Sequence, residues 1–238
     1  MDLKEESLLG AAVDRHWYYR AKLGALKAAI AGLPPGPLVD VGAGSGFFSR
    51  KLLESGAALE ATCVDPGYET DRDELCAGRP LRFCRTLATS DANLVLFMDV
   101  LEHVPDDIGL VREYLDRLAP GTRVLVTVPA FKWLWSSHDV FLEHYRRYTL
   151  RGLEQVLRGA GLRMELGCYF YGGVLPLVAA QRLGRRMAGD RGQEPRSDMR
   201  PFGPIANTLL GAVCNAELAL FRHNRVGGLS VFGRAVKP

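Results

Sequence analysis

Short apolar runs recur along the chain, separated by stretches whose apolar positions return every three or four residues. The runs at 37–41, 59–64, 81–84, 93–98, 123–128, 163–170 and 229–236 predict strands. Helical spacing predicts helices over 6–31 (Leu8, Leu9, Ala12, Trp17, Leu23, Leu26, Ala29, Ile30), 47–54, 104–118, 149–160, 174–187 and 205–223, and a weak one over 69–78. Thr149 suits an N-cap and Gly161 a helix stop. Leu33-Pro34-Pro35-Gly36-Pro37 breaks the first helix and delivers the first strand. Strands alternating with helices imply a mostly parallel sheet covered on both faces. Ligands of such α/β sheets sit beyond the carboxyl ends of the strands, at the switch point beside the first strand.

The pattern divides the chain into a helical arm (1–36), a core (37–171), a helical insertion (172–228) and a returning strand (229–238). At 238 residues the chain can bury a sizeable single core. A net charge of +3 is too small to mark a nucleic-acid binder. The five cysteines are odd in number and lack CxxC spacing. They read as reduced thiols of a cytoplasmic protein, neither metal site nor disulfide framework. No apolar run reaches the length of a membrane span, and the acidic start MDLKEESLL is unlike a secretory signal.

The stretch 38–48 (LVDVGAGSGFF) carries the most specific chemistry. An apolar strand ends in Asp40, then Gly42, Gly44 and Gly46 alternate with small residues before a helix begins. Glycine permits positive φ and lets a ligand approach bare backbone, and the helix start offers unpaired amides. A dinucleotide fingerprint needs G-x-G-x-x-G, but Phe47 stands where its last glycine belongs. Asp40 would also repel a pyrophosphate. An ammonium-bearing ligand with a ribose suits the turn better. Asp65 closes the second strand, where an acid accepts hydrogen bonds from ribose hydroxyls.

At these residues the chain resembles the class I S-adenosylmethionine-dependent methyltransferases. The likeness extends through 94–104 (LVLFMDVLEHV), 120–129 (PGTRVLVTVP) and 138–149 (HDVFLEHYRRYT), and covers most of residues 13–171. The last segment is similar to a bacterial subgroup acting on small molecules or on lipid- and saccharide-linked metabolites. The resemblance implies a Rossmann-like, doubly wound sheet of seven strands, the last antiparallel, and S-adenosylmethionine as the methyl donor. It implies a cofactor site at Asp40, Gly42, Ala43, Gly44, Gly46, Asp65, Pro66, Met98 and Asp99. It also implies that the aromatic-aromatic-Arg stretch of the arm lies over the cofactor, with Arg20 on its carboxylate and Tyr19 nearby. The alternatives are a scaffold that kept the fold without catalysis and another nucleoside-using transferase on the same fold.

The loop after the fifth strand is dense in aromatic and basic residues. Loops at this end of the sheet carry function. His138 and His144 are candidate bases, with His103 beside the fourth strand a third. Trp135, Arg146, Arg147 and Tyr148 are candidates for a flat or anionic substrate. No metal is expected, because two histidines lack a third ligand. The two helices of 172–228 would cap the pocket, pair two copies as a homodimer, or rest peripherally on a membrane surface. The pocket cap is the favoured reading.

Overall fold

The structure, a computed structural model, describes residues 10–187, 197 and 202–238. The polar loop expected over 188–200 lies almost wholly outside the described residues, as do Leu8 and Leu9. Eight strands form one sheet in the order β3-β4-β2-β1-β5-β6-β8-β7. They are β1 (Pro37–Val41), β2 (Glu60–Val64), β3 (Arg72–Cys76), β4 (Arg79–Cys84), β5 (Leu94–Met98), β6 (Arg123–Pro129), β7 (Arg163–Phe170) and β8 (Ser230–Val236). β1 pairs in parallel with β2 and β5, β2 with β4, and β5 with β6. β8 runs antiparallel to β6 and β7 and fills the slot between them. The order reverses at β1, which sets the switch point there.

Helices cover both faces. The α-helices are α1 (Trp17–Ile30), α2 (Phe47–Glu54), α3 (Asp107–Leu115), α4 (Ser137–Phe141), α5 (Leu150–Gly159), α6 (Leu175–Met187) and α7 (Pro204–Glu217). Leu96 and Met98 of β5 pack with Ala25 and Leu26 of α1 and Leu52 of α2 in one core. Val95 and Phe97 point the other way, into the core of Val111 of α3 and Leu153 and Leu157 of α5. Every residue of β5 is buried, as expected of a parallel strand covered on both sides.

The sheet has eight strands where seven were expected. The extra one is β3, which replaces the weak helix expected over 69–78. Ala77 and Gly78 both adopt positive φ (51° and 74°), the backbone of a tight hairpin turn that pairs β3 antiparallel to β4. The strand is polar because it lies at the sheet edge. Its Glu74 accepts from Arg50, and Arg72 lies 3.8 Å from the centroid of the Phe83 ring. The arm is also interrupted: a 3-10 turn (Gly10–Arg15) precedes α1, and His16 caps the helix by accepting from the Tyr18 amide.

The insertion docks on the arm. The Trp17 amide donates to Asn207 Oδ1 (2.8 Å), and Asn207 Nδ2 donates to the Arg15 carbonyl (2.9 Å). Glu217 at the end of α7 accepts from the amides of Gly172 and Gly173. No helix among the described residues is long and apolar enough to cross a membrane.

Candidate functional site

Loops after β1, β5 and β6 leave the sheet at one end. The first is the glycine turn. Gly42, Gly44 and Gly46 have φ of 65°, 57° and 75°, the region L-residues avoid. At Gly42 an added Cβ would also stand 2.8 Å from Val100 Cγ2. The turn is pinned by the Gly42 amide donating to the Val64 carbonyl (2.8 Å) and by the Gly44 amide donating to Asp65 Oδ2 (3.2 Å). The Tyr68 hydroxyl donates to the Gly44 carbonyl (2.6 Å). Asp65 Oδ1 accepts from the Gly67 amide, while Pro66 between them is exposed.

Asp40 is buried beneath this turn. Its Oδ2 accepts the Ser49 hydroxyl (2.8 Å). Its Oδ1, and Ser45 Oγ in the turn itself, have no hydrogen-bond partner among the described residues. Burial pushes the Asp40 carboxyl up to about 6, against an ordinary 3.8. Ala43 and Met98 are buried in the core, so only their backbone can face a ligand.

The arm brings a buried cation to the site. Arg20 is exposed. Lys22, two residues on and on the opposite side of α1, is fully buried and pairs with Asp99. Lys22 Nζ also donates to the Tyr18 hydroxyl (3.1 Å). Burial alone would lower the Lys22 pKa, but the Asp99 carboxylate and Tyr18 outweigh it and hold the group charged. The same pair keeps the Asp99 carboxyl below its ordinary value despite burial. Asp99 also accepts from Thr127 Oγ1 (3.0 Å), and its φ is +57°. Tyr19 is buried edge-on to Phe47, the first residue of α2. Tyr18 stacks on Tyr171 (5.1 Å between centroids), whose hydroxyl donates back to the Tyr18 carbonyl (2.6 Å).

The loops after β5 and β6 are stapled together. The Tyr148 hydroxyl is shared between the Leu101 carbonyl (3.1 Å) and Asp107 Oδ2 (2.8 Å). Arg146 donates to Asp107 and to the Val104 and Pro105 carbonyls. Arg147 Nε donates to Asp139 Oδ1 (2.5 Å) and its Nη1 to the Ala130 carbonyl (3.0 Å). These three residues were expected to hold substrate. In the structure each also has internal partners that fix the loops.

What the staple positions is a pair of histidines. His103 and His144 meet edge to face, 4.7 Å between ring centroids. His144 Nδ1 lies 3.1 Å from Asp139 Oδ1. Asp139 is buried and accepts also from the Ser136 amide (2.8 Å). Burial would raise the Asp139 carboxyl, but His144, Arg147 and the Ser136 amide together hold it far below the ordinary range. His138 and Trp135 are half-buried on and before α4, and His138 is not part of the His103–His144 cluster. A cleft of about 280 Å³ lined by Leu38, Asn93 and Arg123 lies at the opposite end of the sheet, away from all of these groups.

The model of a methyltransferase domain matches residues 15–166, from the start of α1 into β7. The chain belongs to the methyltransferase-domain family. An "Uncharacterized methyltransferase" of Mycobacterium bovis (strain BCG / Pasteur 1173P2) is 31% identical over 139 residues, 52% of this chain and 52% of that protein. The chain spans about half the length of the curated relatives it matches. Among solved structures, a SAM dependent methyltransferase from Archaeoglobus fulgidus superposes with a TM-score of 0.56 at 14% identity, covering 99% of this chain and 98% of the other. Haemonchus contortus phosphoethanolamine N-methyltransferase 2, in complex with S-adenosyl-L-methionine, gives 0.55 at 15% identity, covering 100% and 60%. Both show that the fold is that of methyltransferases.

In this methyltransferase domain three groups escaped the sequence reading. Lys22 is a lone cation among the inward positions Ala21, Ala25, Leu26 and Ala29, which was a usable signal. Asp139 sits five residues before His144 in an H-D-x-x-x-x-H pattern, read for its histidines alone. Glu102 reads in the sequence as an acid favoured at a helix start, but it is buried and neither carboxylate oxygen has a hydrogen-bond partner among the described residues.

Proposed function

We propose that this chain moves a methyl group from S-adenosylmethionine to a small or lipid-linked metabolite. The observation that carries the reading is the glycine turn flanked by two carboxylates, one with a buried oxygen that no described residue satisfies. That environment favours a cation and disfavours a diphosphate. The cofactor would supply an electrophilic methyl on a sulfonium. The bare backbone of 42–46 would lie against it, Asp65 would accept from its ribose hydroxyls, and Asp40 would compensate its ammonium group. Lys22 keeps Asp99 ionised and fixed at the end of β5. The chain's own task is alignment: holding a nucleophile in line is worth several orders of magnitude in rate.

Support for a lipid-linked acceptor comes from the insertion. Ile205, Leu209 and Val213 recur at four-residue spacing on α7 and are 77%, 62% and 44% exposed. An exposed apolar stripe of this kind suits an aliphatic partner.

Calorimetric titration with S-adenosylmethionine should show one saturable site, and NAD should show none. Asp65→Ala should weaken binding about tenfold, the worth of one charge-assisted hydrogen bond. Binding of NAD in place of the sulfonium compound would overturn the reading.

A further inference from the structure

The buried acid in the loop after β5 is unexplained by the function above. Glu102 is 1% exposed, and neither carboxylate oxygen has a hydrogen-bond partner among the described residues. The nearby cations are committed elsewhere, Lys22 to Asp99 and Arg147 to Asp139. A buried carboxylate with no partner is costly, and native chains rarely keep one without a use.

Its neighbours suggest the use. One potential ligand atom from each of Glu102, His103 and His144 falls within 4.8 Å of the other two. The His144 ring is oriented by the Asp139 bond to Nδ1, which leaves Nε2 as its outward nitrogen. Asp139 is itself held by Arg147 and the Ser136 amide. A carboxylate behind one ring nitrogen is the usual support for a histidine that ligates a metal through the other. The loop carrying Glu102 is fixed as well, since the Tyr145 amide donates to the Glu102 carbonyl (2.7 Å).

We propose that Glu102, His103 and His144 form a binding site for a divalent transition-metal ion, with Asp139 as the residue that positions His144. Glu102 and His103 stand beside His144 as the further ligands that the sequence left unassigned. Two imidazoles and one carboxylate, with no thiolate, suit Zn²⁺, Mn²⁺ or Fe²⁺ and disfavour copper(I). A four-coordinate ion with bonds of about 2.0–2.1 Å spaces its ligands roughly 3.3 Å apart, so side-chain rotation must draw the three groups in. Three protein ligands leave a coordination position open.

The site's use rests on the proposed function, whereas its existence does not. An acceptor hydroxyl on the open position would lose its proton to solvent at neutral pH, its electron pair staying on oxygen as the nucleophile. The inference therefore names an oxygen acceptor.

The test uses the full chain stripped with a chelator and titrated calorimetrically with ZnCl₂ and MnCl₂, with Co²⁺ absorption as a report of ligand geometry. The expected result is one ion per chain and Co²⁺ bands that vanish on adding Zn²⁺. Glu102→Gln and His144→Ala should each weaken binding at least tenfold. Asp139→Asn should weaken it 10–100-fold while keeping the stoichiometry. Circular dichroism checks that each variant is folded, and Glu102→Asp serves as the conservative rescue. No saturable binding by the stripped wild type would overturn the site, as would binding that Glu102→Gln and His144→Ala leave unchanged. S-adenosylmethionine titrated into the same samples separates the two readings: failure of the metal with donor binding intact removes this site alone.

Discussion

At Asp40 a single carboxyl carries opposite consequences for folding and for binding. Its pKa in the folded chain is about 6, raised from 3.8 by burial. The folded state thus holds this proton more tightly than the unfolded state does. The contribution of Asp40 to stability falls as pH rises from about 4 through 6. Binding runs the other way under the proposed function, because an ammonium group favours the ionised carboxylate. Affinity for S-adenosylmethionine should increase about tenfold between pH 5 and pH 7.5, following the ionised fraction of a group of this pKa. Calorimetry at the two pH values checks this, and Asp40→Asn should flatten the dependence. The residue also shows what was readable in advance. Asp40, Gly42, Gly44, Gly46 and Asp65 stood out because backbone conformation and ligand charge restrict the residue types allowed there. The partners of Arg146, Arg147 and Tyr148 were not readable, because a cation or phenol in a loop takes whatever partner the tertiary fold brings. Here the partners include carbonyls at 101, 104 and 105, some forty residues away in the chain.

Elements were legible where burial writes a period into the sequence. β1, α2 and β7 run over the residues their apolar pattern predicts, since each faces a core on at least one side. β3 was missed because an edge strand needs no apolar alternation. Its residues are mostly exposed, and the hairpin turn rather than a core dictates its pairing. The turn is therefore where β3 is vulnerable. Gly78 has φ of 74°, and nothing lies within 4 Å of the place a Cβ would occupy. Gly78→Ala should cost about 1–2 kcal/mol from backbone strain alone. Urea denaturation measures it, and Gly78→Asn should recover part of the loss, since asparagine tolerates that conformation.

Across the whole molecule the arm, the sheet end and the insertion share one apolar core, and polar groups tie them together at defined points. Lys22 links α1 to the end of β5, Tyr171 links it to the end of β7, and Asn207 links it to α7. Non-glycine residues at positive φ gather at the same end: Asp99, Phe131 and Tyr171 follow β5, β6 and β7. Strain kept there is held by the packing around it. Lys22→Met should leave Asp99 with Thr127 alone. The side chain of Asp99 is 29% exposed, so water offsets part of the loss. The expected destabilisation is about 2–3 kcal/mol, at the low end for a broken buried pair. Thermal and urea unfolding check it, and Lys22→Arg should not restore stability, because a guanidinium does not fit the space of a buried ammonium.

The position of β8 also bears on how the chain is made. Residues 230–236 lie between β6 and β7 in the sheet although they are translated after both. Until they leave the ribosome, β6 and β7 each present an open backbone edge to the cell, and such edges recruit strands from other chains. The nascent protein thus carries a divided sheet until β8 emerges, and a chaperone that shields strand edges should raise its yield more than one that slows synthesis.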